Sequence, residues 1–279
     1  MPPPAPEEFA SSALNADYWD RLADRYQSAT RISLSDFHYG PLLAGDREIG
    51  LLPKDLSAKT CLELGSGAAQ NSLYLASLGA SCTALDVSEK QLEYAGKLAE
   101  ERTQALTLVQ GGLDELAETD LGQFDLIHST YALPFADDPA GVVQWVAEHL
   151  NPGGNFLLTM GHPLYSGEWI ELDENERGLF LMDYFYPRND TRTMDEDEAG
   201  NGEALTVARY YPISETLDWL LQAGLVIDRL VEPRPLPIPT MSEEDILNRV
   251  PHDSPDWREN FDALDTIPVV AVFKASKPA

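Results

Sequence analysis

The sequence has little cysteine, little positive charge and no long apolar run, and each shortage excludes something. Two cysteines, Cys61 and Cys82, cannot build a disulfide framework; both sit in apolar segments that read as buried strands, and a reducing cytoplasm is the expected compartment. No stretch approaches the roughly 20 apolar residues of a membrane span. The start, Met-Pro-Pro-Pro-Ala-Pro-Glu-Glu, lacks the basic and apolar regions of a signal peptide. Against 47 Asp and Glu stand only 19 Lys and Arg, a formal net charge of −28. Phosphate binding needs clustered cations, so neither nucleic acid nor an anionic membrane is an expected partner. Six of those cations are Lys and thirteen Arg. Such a surface is consistent with a salt-adapted protein, since counterions screen self-repulsion. No Cys/His cluster has metal-ligand spacing, and the run Asp195–Glu198 lacks the EF-hand pattern, so no metal site is expected.

What is present is the patterning of a folded protein: 43% hydrophobic residues over 279, enough for a sizeable core. Residues 1–13 are Pro- and Ala-rich and read as a loose tail. Trp19, Leu22, Ala23 and Tyr26 then mark one stripe of a helix, with Asn15 as its cap. This helix opens an expected N-terminal cap over 14–54, with a second short helix near Arg47–Leu52.

From Thr60 a strand–helix alternation begins. Strands are expected at Thr60–Leu64, Cys82–Leu85, Leu106–Val109, Phe124–Ile127 and Phe156–Met160. Helices are expected at Ser72–Leu78, after the capping box Ser88-Glu89-Lys90-Gln91, and over Gly141–Leu150. Short strands separated by helices imply an α/β fold, a doubly wound and mostly parallel sheet with helices on both faces. Residues 161–212 break the pattern and read as an inserted, largely structureless lid, with Asp195–Glu203 as an exposed loop. The core resumes over 213–279: a helix capped by Ser214, a strand at Leu225–Leu230, a proline-rich connector over 233–239 and a last strand at Val269–Phe273.

The segment that carries chemistry is Leu62-Glu63-Leu64-Gly65-Ser66-Gly67-Ala68-Ala69-Gln70-Asn71. Two glycines one residue apart let the chain turn sharply and present bare backbone to a ligand. The motif leaves a strand, opens a helix and is followed 23 residues after Glu63 by Asp86, at the end of the next strand. An acidic residue there suits the two hydroxyls of a ribose. A dinucleotide fold wants a third glycine where Gln70 stands. A strand end is normally apolar where Glu63 stands, and a buried carboxylate suits a cationic ligand better than a pyrophosphate.

On these residues the sequence resembles the class I S-adenosylmethionine-dependent methyltransferases. Glu63, Gly65 and Gly67 match the family's first motif and Asp86 its second; Val109–Leu113, Phe124–Tyr131 and Leu150–Gly154 match later motifs more loosely. At Gly112 the family places an acidic residue near the adenine, so contacts there would fall to backbone or neighbouring groups. The resemblance covers about residues 55–160. It implies a seven-stranded sheet closed by an antiparallel last strand, and S-adenosylmethionine as cofactor, with S-adenosylhomocysteine as product. It places the cofactor on Glu63, Gly65, Ser66, Gly67, Gln70, Asn71, Asp86, Val87, Gly112, Leu113 and Ser129, with Trp19 and Tyr26 contributed by the cap helix. Aromatic faces steady a sulfonium by cation–π attraction, for which Tyr18, Trp19, Tyr26 and Tyr131 are candidates.

His162, just beyond the fifth strand, and His38 are the catalytic candidates, because imidazole can take a proton near neutral pH. His162 equally suits fixing the loop entry through backbone hydrogen bonds. His128, at the end of the fourth strand, reads as a satisfied buried group, and His149 and His252 have no persuasive partner. The expected activity is methyl transfer to O, N or S of a small-molecule acceptor. The alternatives are an NAD(P)-dependent oxidoreductase, disfavoured by Gln70 and Glu63, and a non-catalytic cofactor-binding protein.

Overall fold

The computed structural model describes residues 12–279 apart from 174–175, 188 and 195–203. The expected tail to residue 11 and the expected loop at 195–203 lie outside the described residues. Seven strands form the main sheet: β1 Thr60–Leu64, β2 Ser81–Asp86, β3 Leu106–Gln110, β4 Phe124–Thr130, β5 Leu150–Gly161, β6 Val226–Val231 and β7 Val270–Ser276. Their order is β6-β7-β5-β4-β1-β2-β3. β1 to β5 pair in parallel, whereas β7 runs antiparallel to both β5 and β6, as the family resemblance implied.

Because both faces of a central strand are covered, β1 is a near-continuous apolar run, and its alternate residues enter different cores. Leu62, Leu64, Leu85, Ile127 and Phe273 pack with Val142, Val143 and Val146 of α4 (Pro139–His149) and Leu220 of α5 (Ile213–Gln222). Cys61, Cys82, Leu126, Val270 and Val272 pack with Phe37, Tyr39 and Leu42 and with Tyr74 and Leu75 of α2 (Gln70–Ser77). Cys61 and Cys82 are register partners on adjacent strands, both buried and both free.

α1 (Ser12–Ala29) starts four residues earlier than a cap at Asn15 implies and takes in the last two residues of the expected tail. Asn15 lies within its first turn and does not cap it. The Asn15 side chain instead anchors the helix, donating to the Phe135 carbonyl and accepting from the Thr206 hydroxyl. Asp20 of α1 accepts from the Ser88 hydroxyl at 2.6 Å and from the Lys90 N–H at 3.1 Å, at the start of α3 (Glu89–Arg102). A carboxylate at a helix N-terminus meets unpaired N–H groups and the positive end of the dipole. Ser88 caps α3 as expected, accepting from Gln91 N–H, but the Gln91 side chain turns to α1 rather than closing the box.

Two further expectations fail. Ser214 does not cap α5; Pro212 precedes its first residue, where a fixed φ suits a helix start. Nor is 161–212 structureless. It holds two antiparallel hairpins, Glu168–Asp173 with Glu176–Phe180, and Asp190–Met194 with Ala204–Ala208. The two-residue ladder of Arg31–Ile32 with His252–Asp253 brings the C-terminal segment beside α1. Among the described residues no helix is long and apolar enough to cross a membrane.

Candidate active site

The sheet order reverses between β1 and β4, and open α/β folds bind ligands at the carboxyl ends of strands beside such a reversal. A cavity of about 290 Å³ opens there. Its floor is the turn from β1 to α2, in which Gly65, Gly67 and Ala69 all have positive φ (69°, 54° and 57°). Gly65 is required by space as well: a Cβ there would stand 2.0 Å from that of Ala132, on the loop after β4. The bare backbone of the turn is therefore fixed by packing from two strands.

Two buried carboxylates flank it. Asp86 accepts from Gly67 N–H at 2.7 Å through Oδ2 and from Ser88 N–H at 2.9 Å through Oδ1. Each oxygen keeps a second lone pair, and the residue lines the cavity. Burial raises its pKa, opposed by the backbone N–H groups. Glu63 accepts from Ser72 N–H and Oγ, both through Oε2; Oε1 lies 3.8 Å from Nδ1 of His128. Burial pushes the Glu63 carboxyl up to about 8, against the pull of Ser72. Desolvation holds His128 down at about 3, so it is neutral and supplies no balancing charge.

The structure brings most of the expected cofactor residues to this one cavity. Glu63, Gly65, Ser66, Gly67, Gln70 and Asp86 line it, with Val87, Gly112 and Leu113 beyond and Trp19 and Tyr26 above. Gln70 donates to Gln27, which donates to Gln91, a chain of amides linking α2, α1 and α3. Trp19 packs edge-on against Tyr26 and Phe135. At Gly112 the backbone N–H is taken by Glu115, while Asp114 and Gly111 reach the wall.

Four expectations are corrected. Asn71 is off the cavity; its amide clamps the His38 backbone, accepting from N–H at 2.9 Å and donating to the carbonyl at 3.1 Å. Ser129 is buried and donates to the Leu64 carbonyl. Tyr18 packs with Trp19 and Leu22 instead of facing the cavity. His162 does not face the cavity either: Nδ1 accepts from Leu164 N–H, and Nε2 stands 2.9 Å from the Glu232 carboxylate. Both its nitrogens are spent holding the loop. His38, by contrast, lines the cavity.

No motif in the sequence marks the far half of the cavity. Tyr165, Asp190, Arg192, Tyr210, His252 and Trp257 reach it from segments remote in sequence. Arg192 donates through Nε to Asp190 at 2.9 Å, and Arg209 pairs with Asp137. Among the described residues these are the two cationic side chains in the cavity wall, and neither belongs to the glycine turn. A turn with two carboxylates and no lysine or arginine fits a cofactor that has a cationic end and no phosphate, and does not fit a pyrophosphate.

Strand order, glycine turn and the acidic ends of β1 and β2 define a Rossmann-like domain built for an adenosyl cofactor. Residues 62–158 match the family model described as a methyltransferase domain. The match spans about a third of the chain and, with the glycine turn and Asp86, supports a class I S-adenosylmethionine-dependent methyltransferase core. A ubiquinone biosynthesis O-methyltransferase of Pseudomonas paraeruginosa is 33% identical over 104 residues, which are 37% of this chain and 45% of that protein. An S-adenosylmethionine-dependent methyltransferase from Mesorhizobium loti shares the fold, with a TM-score of 0.58 and 23% identity over 82% of this chain and 95% of that one. The [4+2]-cyclase SpnF superposes with a TM-score of 0.60 and 16% identity over 97% of each chain. Shape at that level carries the fold and leaves the chemistry to the site.

Proposed function

We propose that the protein transfers the methyl group of S-adenosylmethionine to an O, N or S nucleophile of a small molecule by in-line displacement. The observation that carries this is a single cavity joining the glycine turn and its two carboxylates to a chamber of aromatic and histidine side chains. When bound, the cofactor supplies a methyl group already activated on a sulfonium sulfur.

The chain's own residues bind, orient and exclude water. Asp86 keeps lone pairs for ribose hydroxyls, and Glu63 offers a carboxylate to the cationic end. Val87 and Leu113 provide an apolar slot for the base. α1, tied to β2–α3 through Asp20–Ser88 and to the 204–208 strand through Asn15–Thr206, forms the roof. With the 161–212 hairpins it acts as a lid over the acceptor, so that the nucleophile is held in line and water kept out. The partial likeness to ubiquinone O-methyltransferases favours oxygen among the three nucleophiles.

Calorimetry with S-adenosylmethionine, S-adenosylhomocysteine and NADH tests the cofactor. Saturable binding of the first two and none of NADH is expected; the reverse would sustain the oxidoreductase reading instead. Label transfer from methyl-labelled cofactor into acceptor pools separates an enzyme from a non-catalytic binder.

A further inference from the structure

The acceptor half of the cavity holds a cluster of polar groups with nothing to bond. His38 and His252 are both more than nine-tenths buried, their rings edge to face with centroids 5.1 Å apart. Nδ1 of His38, both ring nitrogens of His252 and the hydroxyl of Tyr131 are shut off from solvent and have no hydrogen-bond partner. All three side chains line the same cavity. Buried polar atoms are nearly always paired, and four orphans in one wall call for a ligand that completes them.

The three are also placed with care. Asn71 clamps the backbone of His38 from both sides, and the His252 carbonyl accepts from Leu42 N–H. Tyr131 follows β4 with φ of +64°, unusual for a residue with a side chain, and a Cβ on Gly40 would meet its ring at 3.0 Å. Strain of this kind persists only where the surroundings enforce it, and it concentrates at functional positions.

We infer that His38, His252 and Tyr131 form an acceptor-hydroxyl subsite, and that the acceptor is a neutral phenol-type molecule whose hydroxyl bonds to this cluster. The inference rests on the proposed methyl transfer and names its substrate class. Its chemical logic has three parts. Burial keeps both imidazoles neutral, with His252 at about 4, so each retains a lone pair for a hydroxyl hydrogen. The wall offers an anion no unpaired cation: Arg192 and Arg209 are already paired, and the Asp86 and Asp114 side chains line the same cavity. Tyr165, Tyr210 and Trp257 give flat apolar faces to an aromatic ring.

The step balances. An oxygen lone pair forms the O–CH3 bond, the CH3–S bond breaks, and its electron pair returns to sulfur. The hydroxyl proton passes to an imidazole nitrogen of the pair and is released to solvent when the products leave and the cavity opens. A weak base suffices, because the oxygen becomes strongly acidic as the new bond forms.

The test uses the full chain with methyl-labelled cofactor and four acceptor sets: hydroxybenzenes (phenol and catechol), aniline, thiophenol and benzoate. Label is expected in the hydroxybenzenes. His252→Ala should lower kcat on them by 100-fold or more, the range general-base groups supply, with cofactor affinity within about twofold. Tyr131→Phe, which keeps the ring packing, should lower kcat/KM about five- to tenfold. In histidine-15N spectra of the complex with S-adenosylhomocysteine, catechol should shift the signals of His38 and His252. Label only in aniline, thiophenol or benzoate overturns the inference, as does full phenol methylation by both variants. Failure to bind the cofactor overturns the underlying methyl-transfer reading instead.

Discussion

Glu63 should make cofactor binding release a proton. Its carboxyl, raised to about 8 by burial, is about nine-tenths protonated in the free protein at pH 7. A cationic group brought against it favours the carboxylate, so the bound state has a lower pKa. Ionising the carboxyl first costs about RT ln(1 + 10), or about 1.4 kcal/mol, at pH 7. Affinity should therefore be roughly tenfold below its high-pH limit at pH 7 and roughly a hundredfold below it at pH 6, levelling above about pH 8. The sign is that of a group whose pKa falls on binding: affinity rises with pH up to the free-protein value. Calorimetry in buffers of different ionisation enthalpy would report about 0.9 protons released at pH 7. The cofactor's α-amino group, ordinarily about 7.7–8.0, titrates in the same window. The diagnostic quantity is thus the difference between wild type and Glu63→Gln, which removes the carboxyl but keeps a hydrogen-bonding side chain. Identical pH profiles for the two proteins would refute the reasoning.

Asp86→Ala should weaken cofactor binding by about 1.5–3 kcal/mol, the worth of charge-assisted hydrogen bonds; unchanged affinity by calorimetry would remove the ribose assignment. Gly65→Ala combines a clash at 2.0 Å with a left-handed backbone that alone costs about 1–2 kcal/mol, so its melting temperature should fall by several degrees and cofactor affinity with it. His162→Ala should lower stability by about 1 kcal/mol while leaving kcat within about threefold, because both nitrogens serve the loop; a hundredfold loss of kcat would restore it as a catalytic group. For the acidic surface, molar KCl should raise the melting temperature relative to low salt, and no gain would count against salt adaptation.

The sequence determined what lies within a few residues or recurs with a fixed period. β1 falls at Thr60–Leu64 as its apolar run predicts, Ser88 caps α3, and the Glu63–Gly65–Gly67 turn faces Asp86. These features are local because a strand buried on both faces must be apolar, and a sharp turn must be small. The cofactor half of the site was legible for that reason. Chain direction alone could not tell which side of the backbone Asn71, Ser129 and His162 face, and each turned out to serve its own neighbourhood. Only the tertiary structure decided the acceptor half. His252 meets His38 through the short ladder with Arg31–Ile32, and Arg192 arrives on a hairpin that the polar composition of 161–212 disguised. The two histidines stand more than two hundred positions apart, and no pattern along the chain records such encounters, because they are set by how whole elements pack rather than by the preference of any one.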